Sequence, residues 1–247
     1  MHILLDIEGT TTPITFVYDV LFPFARAALG PYVHQTIDAP QTRAALAQLR
    51  ADMAAELATS PDAPVVAPED APASELAGSA ARALDWLMDR DRKATGLKTL
   101  QGLVWQQGYE DGRLRGVVFA DVAPQLRAWR EAGVPVSIYS SGSVQAQQLL
   151  FRYAEPGDLT TCLTAYFDTR VGGKREAASY RAIAEQLGIP AHELCFFTDI
   201  VEEADAATAA GARAWISVRP GNAPLPLEAR LEPGPVVLQV AVEGLDP

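Results

Sequence analysis

The sequence has few of the residues that build covalent and metal crosslinks. Its 247 residues include only two cysteines, Cys162 and Cys195, and three scattered histidines. Two isolated cysteines form neither a disulfide framework nor a zinc ligand set, and they are typical of a protein in a reducing compartment. We therefore expect a cytoplasmic protein whose stability comes from its apolar core.

Positive charge and long apolar runs are scarce as well. The chain has 20 Lys and Arg against 31 Asp and Glu, a formal net charge of -11. Nucleic acids and anionic membranes attract Lys/Arg-rich surfaces, so this balance disfavours both as partners, although a small phosphorylated substrate needs only local positive charge. No apolar run approaches the ~18 residues that span a bilayer. The opening MHILLDIEGT lacks the basic flank and apolar stretch of a signal peptide, so we expect no secretion.

What the sequence does contain is an α/β pattern. Residues 3–6 (ILLD) form an apolar run that stops at a carboxylate, which is typical of a buried parallel strand. From Gly116 onward, predicted strands at 134–139, 194–198 and 212–218 alternate with helices. The predicted helices span 143–151, 177–187 and 202–210. This alternation predicts βαβ units and a doubly wound, Rossmann-like parallel sheet.

A long helical segment separates the first strand from the rest. Apolar residues recur at helical spacing over 39–57, 74–88 and 97–105, whereas the proline-rich stretch 60–74 predicts an exposed linker. A helical cap inserted after the first strand explains this order. We predict a core of residues 1–15 and 116–247 and a cap of residues 16–115.

Polar side chains follow the predicted strands at the edge where α/β proteins bind their ligands. They are Asp6 and Glu8, Ser140 and Ser141, Lys174, and Asp199. Each has a structural explanation on its own, because Asp and Ser commonly cap turns and helices and a loop lysine is usually solvated. Four such groups in this order favour a functional site.

The order and spacing of these groups resemble the four signature motifs of the haloacid dehalogenase-like phosphatases. The resemblance implies that Asp6 is a nucleophile and that Glu8, two positions on, is the accompanying acid. Glu8 departs from the more common Asp and places its carboxyl group one methylene further out. Ser140, with Ser141 beside it, matches the second motif.

The last two motifs complete the match. Lys174 corresponds to the third motif and Asp199 to the first acid of the fourth. The second acid of the fourth motif is Glu202 or Glu203, and the sequence leaves both open.

The resemblance then narrows to the enolase-phosphatases of the methionine salvage pathway. It is carried by residues 6–25, 97–109, 138–151, 167–180 and 218–224. These segments run nearly end to end and include the cap. This coverage matters because the core motifs alone would fit many phosphatases. The resemblance implies 2,3-diketo-5-methylthiopentyl-1-phosphate as substrate. It also implies two successive reactions, enolisation and then dephosphorylation to the acireductone.

The resemblance also implies a chemical role for each motif. One Mg²⁺ would be held by the carboxylates of Asp6 and Asp199 and the backbone carbonyl of Glu8. Ser140 and Lys174 would hold the phosphate, while Asp6 forms an aspartyl-phosphate. Glu8 would act as general acid and base. The base for the enolisation stays open between Glu8 and an acid of the cap.

Three alternative hypotheses compete with that of a bifunctional enzyme. A plain Mg²⁺-dependent phosphatase shares every core residue and differs only in the cap. A non-catalytic phosphate-binding protein is disfavoured, because it needs neither a nucleophile nor an acid. A metal-free dehalogenase has no use for Glu8 as a proton donor. The family suggests a monomer.

Overall fold

The chain forms two compact units, and the computed structural model describes residues 1–225. One unit comprises Met1–Val17 and the chain from Arg115 onward, and the other comprises Tyr18–Leu114. The predicted core also included residues 226–247, which lie outside the described residues.

A parallel sheet organises the first unit. Within the described residues its strands are β1 (His2–Leu5), β2 (Val136–Tyr139), β3 (Ala165–Phe167), β4 (Leu194–Thr198) and β5 (Arg213–Ile216). They lie in the order β3-β2-β1-β4-β5, and every neighbouring pair is parallel. The chain winds outward from β1 to β3 and then returns to β4 beside β1, so the topological switch point falls between β1 and β4. The predicted doubly wound α/β fold is confirmed.

Helices flank this sheet and form the second unit. Those between residues 1 and 225 are α1 (Phe22–Gln35), α2 (Pro40–Leu57), α3 (Ala73–Asp89), α4 (Thr95–Glu110), α5 (Val122–Glu131), α6 (Val144–Arg152), α7 (Ala177–Leu187) and α8 (Val201–Ala209). A π-helix at Phe16–Leu21 precedes α1. Over this part of the chain, no helix is both long enough and apolar enough to cross a membrane.

The three central strands, β2, β1 and β4, are buried along their whole length, and most of their residues are apolar. All four residues of β1 are buried, as expected for a central parallel strand covered on both faces. On one face the rings of Tyr139 and Phe196 pack around Tyr180 of α7, with centroid distances of 5.6 Å and 5.1 Å to it. This aromatic cluster fixes α7 against the strands that carry the polar groups.

In the second unit, α2 packs on α4, and α1 packs on α3 and α4. At the crossing of α2 and α4, a Cβ on Gly96 would lie 2.5 Å from the backbone of Leu49, so only glycine allows this approach. Asp52 of α2 accepts a hydrogen bond of 2.7 Å from the backbone N–H of Gly96. The glycine and this bond together fix the contact between the two helices.

The proline-rich segment differs from its prediction. Residues 60–72 form neither helix nor strand, as predicted, but Val66 and Ala67 are buried. The N–H of Ala67 donates to Ser79 Oγ at 2.9 Å, and Arg50 Nε donates to the carbonyl of Ala67 at 3.0 Å. The prediction of an exposed linker is wrong, because apolar residues between the prolines pack onto the helices of the same unit.

Candidate active site

The strand ends gather the predicted polar groups at one edge of the sheet. In the sheet register, Leu5 pairs with Ile138 of β2 and with Phe197 of β4. Asp6, Ser140 and Asp199 therefore follow three adjacent strands at their carboxyl ends, with Asp6 on the central one. Ligands bind at this edge, and specifically at the switch point, in doubly wound sheets.

Asp6 is the most constrained of these groups. Its side chain is 5% exposed, and its Oδ1 accepts a hydrogen bond of 2.7 Å from the backbone N–H of Ile7. The Nζ of Lys174 lies 2.7 Å from the same oxygen. Burial raises the pKa of Asp6, and the ammonium of Lys174 opposes that rise. Asp6 therefore depends on nearby positive charge to stay ionised.

Lys174 reaches Asp6 from a loop that other side chains hold. The hydroxyl of Tyr180 donates to the carbonyl of Lys174 at 2.6 Å, and that of Tyr139 donates to the carbonyl of Gly172 at 2.9 Å. Burial opposes the charge on Lys174, but the adjacent carboxylates of Asp6 and Glu203 outweigh it and raise the pKa of Lys174. The lysine is therefore a buried cation, which excludes the alternative interpretation of a solvated loop lysine.

Glu203 is the acid of the fourth motif that points to Lys174. Its Oε2 lies 2.7 Å from Lys174 Nζ and accepts a hydrogen bond of 2.7 Å from the hydroxyl of Thr198. Glu202, the other candidate, is exposed on α8. Helical phase explains the difference, because Glu203 shares the buried face of α8 with Ala204 and Ala207.

Asp199 lies beside the loop that follows β1. A Cβ on Gly9 would clash with Oδ2 of Asp199, and Gly9 has a φ of +68°, so both the close contact and the backbone conformation require glycine. Burial raises the pKa of Asp199 to about 6; Lys174 lowers it, whereas Glu203 and Glu8 raise it further. Burial is thus the main cause of the raised pKa of Asp199.

The loop after Asp6 is a tight turn. The backbone N–H groups of Thr10, Thr11 and Thr12 all donate to the carbonyl of Ile7, at 3.2, 3.0 and 2.9 Å. Glu8 lies in this turn and is partly exposed. The predicted acid is therefore held in a rigid segment immediately after the nucleophile candidate.

The second motif follows β2 as predicted. Ser140 is buried, its N–H donates to the carbonyl of Phe167 at 3.1 Å, and its Oγ accepts from the N–H of Gly142 at 3.2 Å. Gln147 Nε2 donates to the carbonyls of Gly142 and Phe167, each at 2.8 Å, and so braces the turn. Ser141 is partly exposed in the same turn.

The donor chemistry fits a hard divalent cation. Among the described residues no group of three or more His, Cys, Asp and Glu side chains forms a metal site. Mg²⁺, however, commonly takes one or two carboxylates together with backbone, water and phosphate oxygens. The carboxylates of Asp6 and Glu203 each lie 2.7 Å from the ammonium of Lys174, and Asp199 is near enough for that ammonium to lower its pKa. Asn222 Oδ1 adds a buried oxygen without a hydrogen-bond partner beside Gly9.

Sequence reasoning missed three residues of this region. Thr198 donates to Glu203 and, at 3.5 Å, to Asp6 Oδ2. Asn222 donates to the carbonyl of Gly9 in the loop after β1, and in the sequence only the resemblance over residues 218–224 draws attention to it. Arg219 forms a largely buried ion pair with Asp121, at 2.8 Å. The Arg219 pairing spans 98 residues, so no local pattern could have revealed it.

Comparison with known proteins places this arrangement among relatives. A model of the haloacid dehalogenase-like hydrolases matches residues 1–211. Enolase-phosphatase E1 of Synechococcus elongatus is 51% identical over 221 residues, which is 90% of each chain. Enolase-phosphatase E1 of Drosophila mojavensis is 43% identical over 234 residues, 92% of this chain and 88% of the relative.

A solved structure is similar as well. The UTR4 protein of Saccharomyces cerevisiae superposes with a TM-score of 0.69 at 33% identity, over 91% of this chain and 92% of its own. Matches over nine-tenths of the chain necessarily include both units.

Proposed function

Because the chain belongs to the haloacid dehalogenase-like hydrolases and, within them, to the enolase-phosphatases, we propose that it makes the acireductone of methionine salvage. The substrate is 2,3-diketo-5-methylthiopentyl-1-phosphate. The products are 1,2-dihydroxy-3-keto-5-methylthiopentene and phosphate, reached through an enol-phosphate. The enzyme is thus an acireductone synthase that joins an enolisation to the hydrolysis of a phosphate monoester.

The observation that carries the proposal is the buried pair of Asp6 and Lys174 at the switch point of the sheet. A carboxylate at this position with a lysine 2.7 Å away suits attack on phosphorus, because the lysine offsets the charge of a dianionic ester. A protein that merely binds phosphate has no need for a buried carboxylate there, since such a group repels the anion.

Asp6 acts as the nucleophile in the hydrolytic step. Its carboxylate oxygen forms a bond to phosphorus while the bond from phosphorus to the enol oxygen breaks, which gives an aspartyl-phosphate. Glu8 donates a proton to the departing oxygen. It then removes a proton from water, which attacks the aspartyl-phosphate and regenerates Asp6. Ser140 and Ser141, with Lys174, hold the remaining phosphate oxygens.

The haloacid dehalogenase-like hydrolases generally use Mg²⁺, and we propose one ion per chain. Asp6, Asp199 and the backbone carbonyl of Glu8 would hold it. The ion would supply positive charge for the phosphate in a site where carboxylates outnumber cations. Glu203 neutralises part of the charge of Lys174 and so orients its ammonium between the two carboxylates.

The enolisation requires a second function of the same site. A base removes a proton from carbon 1 of the substrate, where the adjacent ketone acidifies it. Glu8 and an acid of the cap are the candidates for this base. We also propose that the protein acts as a monomer in the cytoplasm, in keeping with the family and with two buried, unbridged cysteines among the described residues.

One experiment separates this function from that of a plain phosphatase. The purified protein is incubated with the diketo-phosphate ester and Mg²⁺ in D₂O, while proton NMR follows carbon 1 and a colorimetric assay follows phosphate. We expect exchange of the carbon-1 proton together with release of phosphate and acireductone. Phosphate release without exchange would leave a plain phosphatase, and no turnover at all would refute the proposal.

A further inference from the structure

Three consecutive carbonyl groups of the turn that carries Glu8 are each held by a partner from a distant segment. Asn222 Nδ2 donates to the carbonyl of Gly9 at 2.9 Å, and Arg219 Nε donates to that of Thr10 at 3.1 Å. The backbone N–H of Phe119 donates to the carbonyl of Thr11 at 2.9 Å. These partners lie between about a hundred and two hundred positions away in sequence, so the contacts exist only in the folded core.

Arg219 is itself fixed in place. Its two terminal nitrogens donate to the two oxygens of Asp121 at 2.8 and 2.9 Å, which is the bidentate geometry that orients a guanidinium most strongly. The guanidinium lies 4.5 Å from the centre of the Phe119 ring, and the side chain is 7% exposed. This pairing directs the third nitrogen, Nε, at the carbonyl of Thr10.

Asn222 holds the turn on the side of Asp199. Its Nδ2 donates to the carbonyls of Gly9 and Ser217, at 2.9 and 3.1 Å. Its Oδ1 and Oδ2 of Asp199 both lie within 3 Å of the point that a Cβ on Gly9 would occupy. One side chain therefore contacts the turn of Glu8 and approaches the carboxylate of Asp199.

We propose that Arg219 and Asn222 are positioning residues that fix the turn of Glu8 relative to Asp6 and Asp199. Neither needs to touch the substrate. The turn carries both the predicted acid/base and the backbone carbonyl proposed to bind Mg²⁺, so its displacement would disturb proton transfer and metal binding together. The kinetic part of this inference rests on the proposed activity and the metal-binding part on the proposed Mg²⁺ site, whereas the hydrogen-exchange part rests on neither.

The expected loss of activity and metal affinity can be taken from other residues that orient the ligands of a metal. Loss of a group that orients a metal ligand typically costs about 10–100-fold in metal affinity or activity. A misplacement of about 1 Å can cost on the order of 10²-fold in rate. We expect Arg219→Lys, which keeps the charge but loses the planar fork, to fall in this range.

The chain offers a matched control. Arg113 pairs with both oxygens of Asp111 through Nε, and its guanidinium lies 5.1 Å from the ring of Phe24. Arg113→Lys therefore replaces an arginine that likewise pairs with an aspartate and lies over a phenylalanine ring, but in the unit Tyr18–Leu114.

The test compares parent, Arg219→Lys, Arg113→Lys and Asn222→Ala. Measurements are kcat and KM, Mg²⁺ affinity by titration calorimetry, and amide hydrogen exchange of the peptide covering residues 7–12. We expect Arg219→Lys and Asn222→Ala to lower kcat and Mg²⁺ affinity about 10–100-fold, with KM within about twofold and faster exchange. Arg113→Lys should match the parent in all of them.

Asp121→Asn tests whether the anchor acts through Arg219. It should lower kcat and Mg²⁺ affinity and speed hydrogen exchange as much as Arg219→Lys does. The double variant should be no worse than either single variant, because both substitutions break the same ion pair. The proposal would be overturned if folded Arg219→Lys had the same kcat, Mg²⁺ affinity and hydrogen exchange as the parent. The ion pair of Arg219 and Asp121 would then have only a structural role. If Arg219→Lys does not fold, Asn222→Ala decides by the same criteria. An inactive parent would refute the proposed function alone, since Mg²⁺ affinity and exchange still decide this inference.

Discussion

Lys174 and Asp6 form a buried ion pair with 2.7 Å between Nζ and Oδ1, and their side chains are 10% and 5% exposed. Glu203 lies at the same distance from Nζ on another side of the ammonium. Because two carboxylates share one lysine, the lysine supplies charge to the nucleophile candidate and is held in place by the second acid. Asp6, Lys174 and Glu203, which belong to the first, third and fourth motifs, therefore form one network of ion pairs.

Replacement of Lys174 tests its role as the cation of the site. We expect Lys174→Ala to lower kcat for phosphate release by about 10²–10³-fold, since it removes preorganised charge from the phosphate. Loss of one partner of a buried pair should also lower the free energy of unfolding by about 3–5 kcal/mol. Steady-state kinetics and urea unfolding measure both effects. Lys93→Ala, at an exposed position, serves as control, and parent-like kinetics in Lys174→Ala would reject the assignment.

The adjacent acids of α8 provide a matched pair. Glu203→Gln should lower the free energy of unfolding by about 1–3 kcal/mol, because the charge that bonds Lys174 and Thr198 is lost. Glu202→Gln, on the exposed face, should change it by less than about 0.5 kcal/mol. Thermal and urea unfolding of both variants measure the difference. Equal effects in the two variants would contradict the assignment of Glu203 as the second acid.

Much of the fold was predictable from apolar patterning. The bounds predicted for α7 and β4 agree at both ends, because apolar spacing and Gly188 mark them clearly. β3 was missed because it has three residues, Ala165–Phe167, of which only Phe167 is buried, too short for a periodic signal. Within the site, Glu203 was recoverable from the phase of α8.

The rest of the site depends on tertiary contacts. The pairing of Arg219 with Asp121, and the bonds of Asn222 to Gly9, are set by the winding of the sheet. A single sequence has no local feature that reports them.

Removal of metal should abolish phosphatase activity, and addition of Mg²⁺ should restore it. Apart from activity, Mg²⁺ at about 100 times its Kd should stabilise the parent by about 2.7 kcal/mol through mass action. Asp199→Asn should lose most of this stabilisation while its metal-free Tm changes little, since it removes a ligand charge but almost no volume. Thermal unfolding with and without Mg²⁺ measures both. An unchanged response to Mg²⁺ would reduce Asp199 to a structural residue.

His2 predicts a pH dependence of stability that is independent of catalysis. Its Nε2 lies 2.8 Å from Ser137 Oγ, and burial, with the nearby N-terminal ammonium, lowers the pKa of His2 below its ordinary 6.5. Below pH 6.5 the unfolded chain therefore binds a proton that the folded chain does not, and stability falls. The difference in free energy of unfolding between parent and His2→Gln should shrink as pH falls from 7 to 5. A constant difference would show that His2 does not titrate differently on folding.

The sharpest prediction separates the two reactions in one site. Asp6→Asn should abolish phosphate release, because an amide is a far poorer nucleophile than a carboxylate. Removal of the carbon-1 proton needs only a positioned base and stabilisation of the enolate, so a metal-saturated Asp6→Asn should still exchange this proton with deuterium. The enol-phosphate should accumulate as phosphate release stops.

Glu8→Gln distinguishes the two candidate bases. It should lose both exchange and hydrolysis if Glu8 serves both steps, and hydrolysis alone if the base lies in the cap. Proton NMR in D₂O, with each variant at saturating Mg²⁺ and its fold checked by circular dichroism, measures the exchange. Asp6 and Glu8 are only two positions apart. Equal loss of carbon-1 exchange in both variants would therefore mean that the exchange depends on the turn as a whole and not on Glu8 alone. Exchange that survives in Asp6→Asn but not in Glu8→Gln would assign the proton transfer to Glu8.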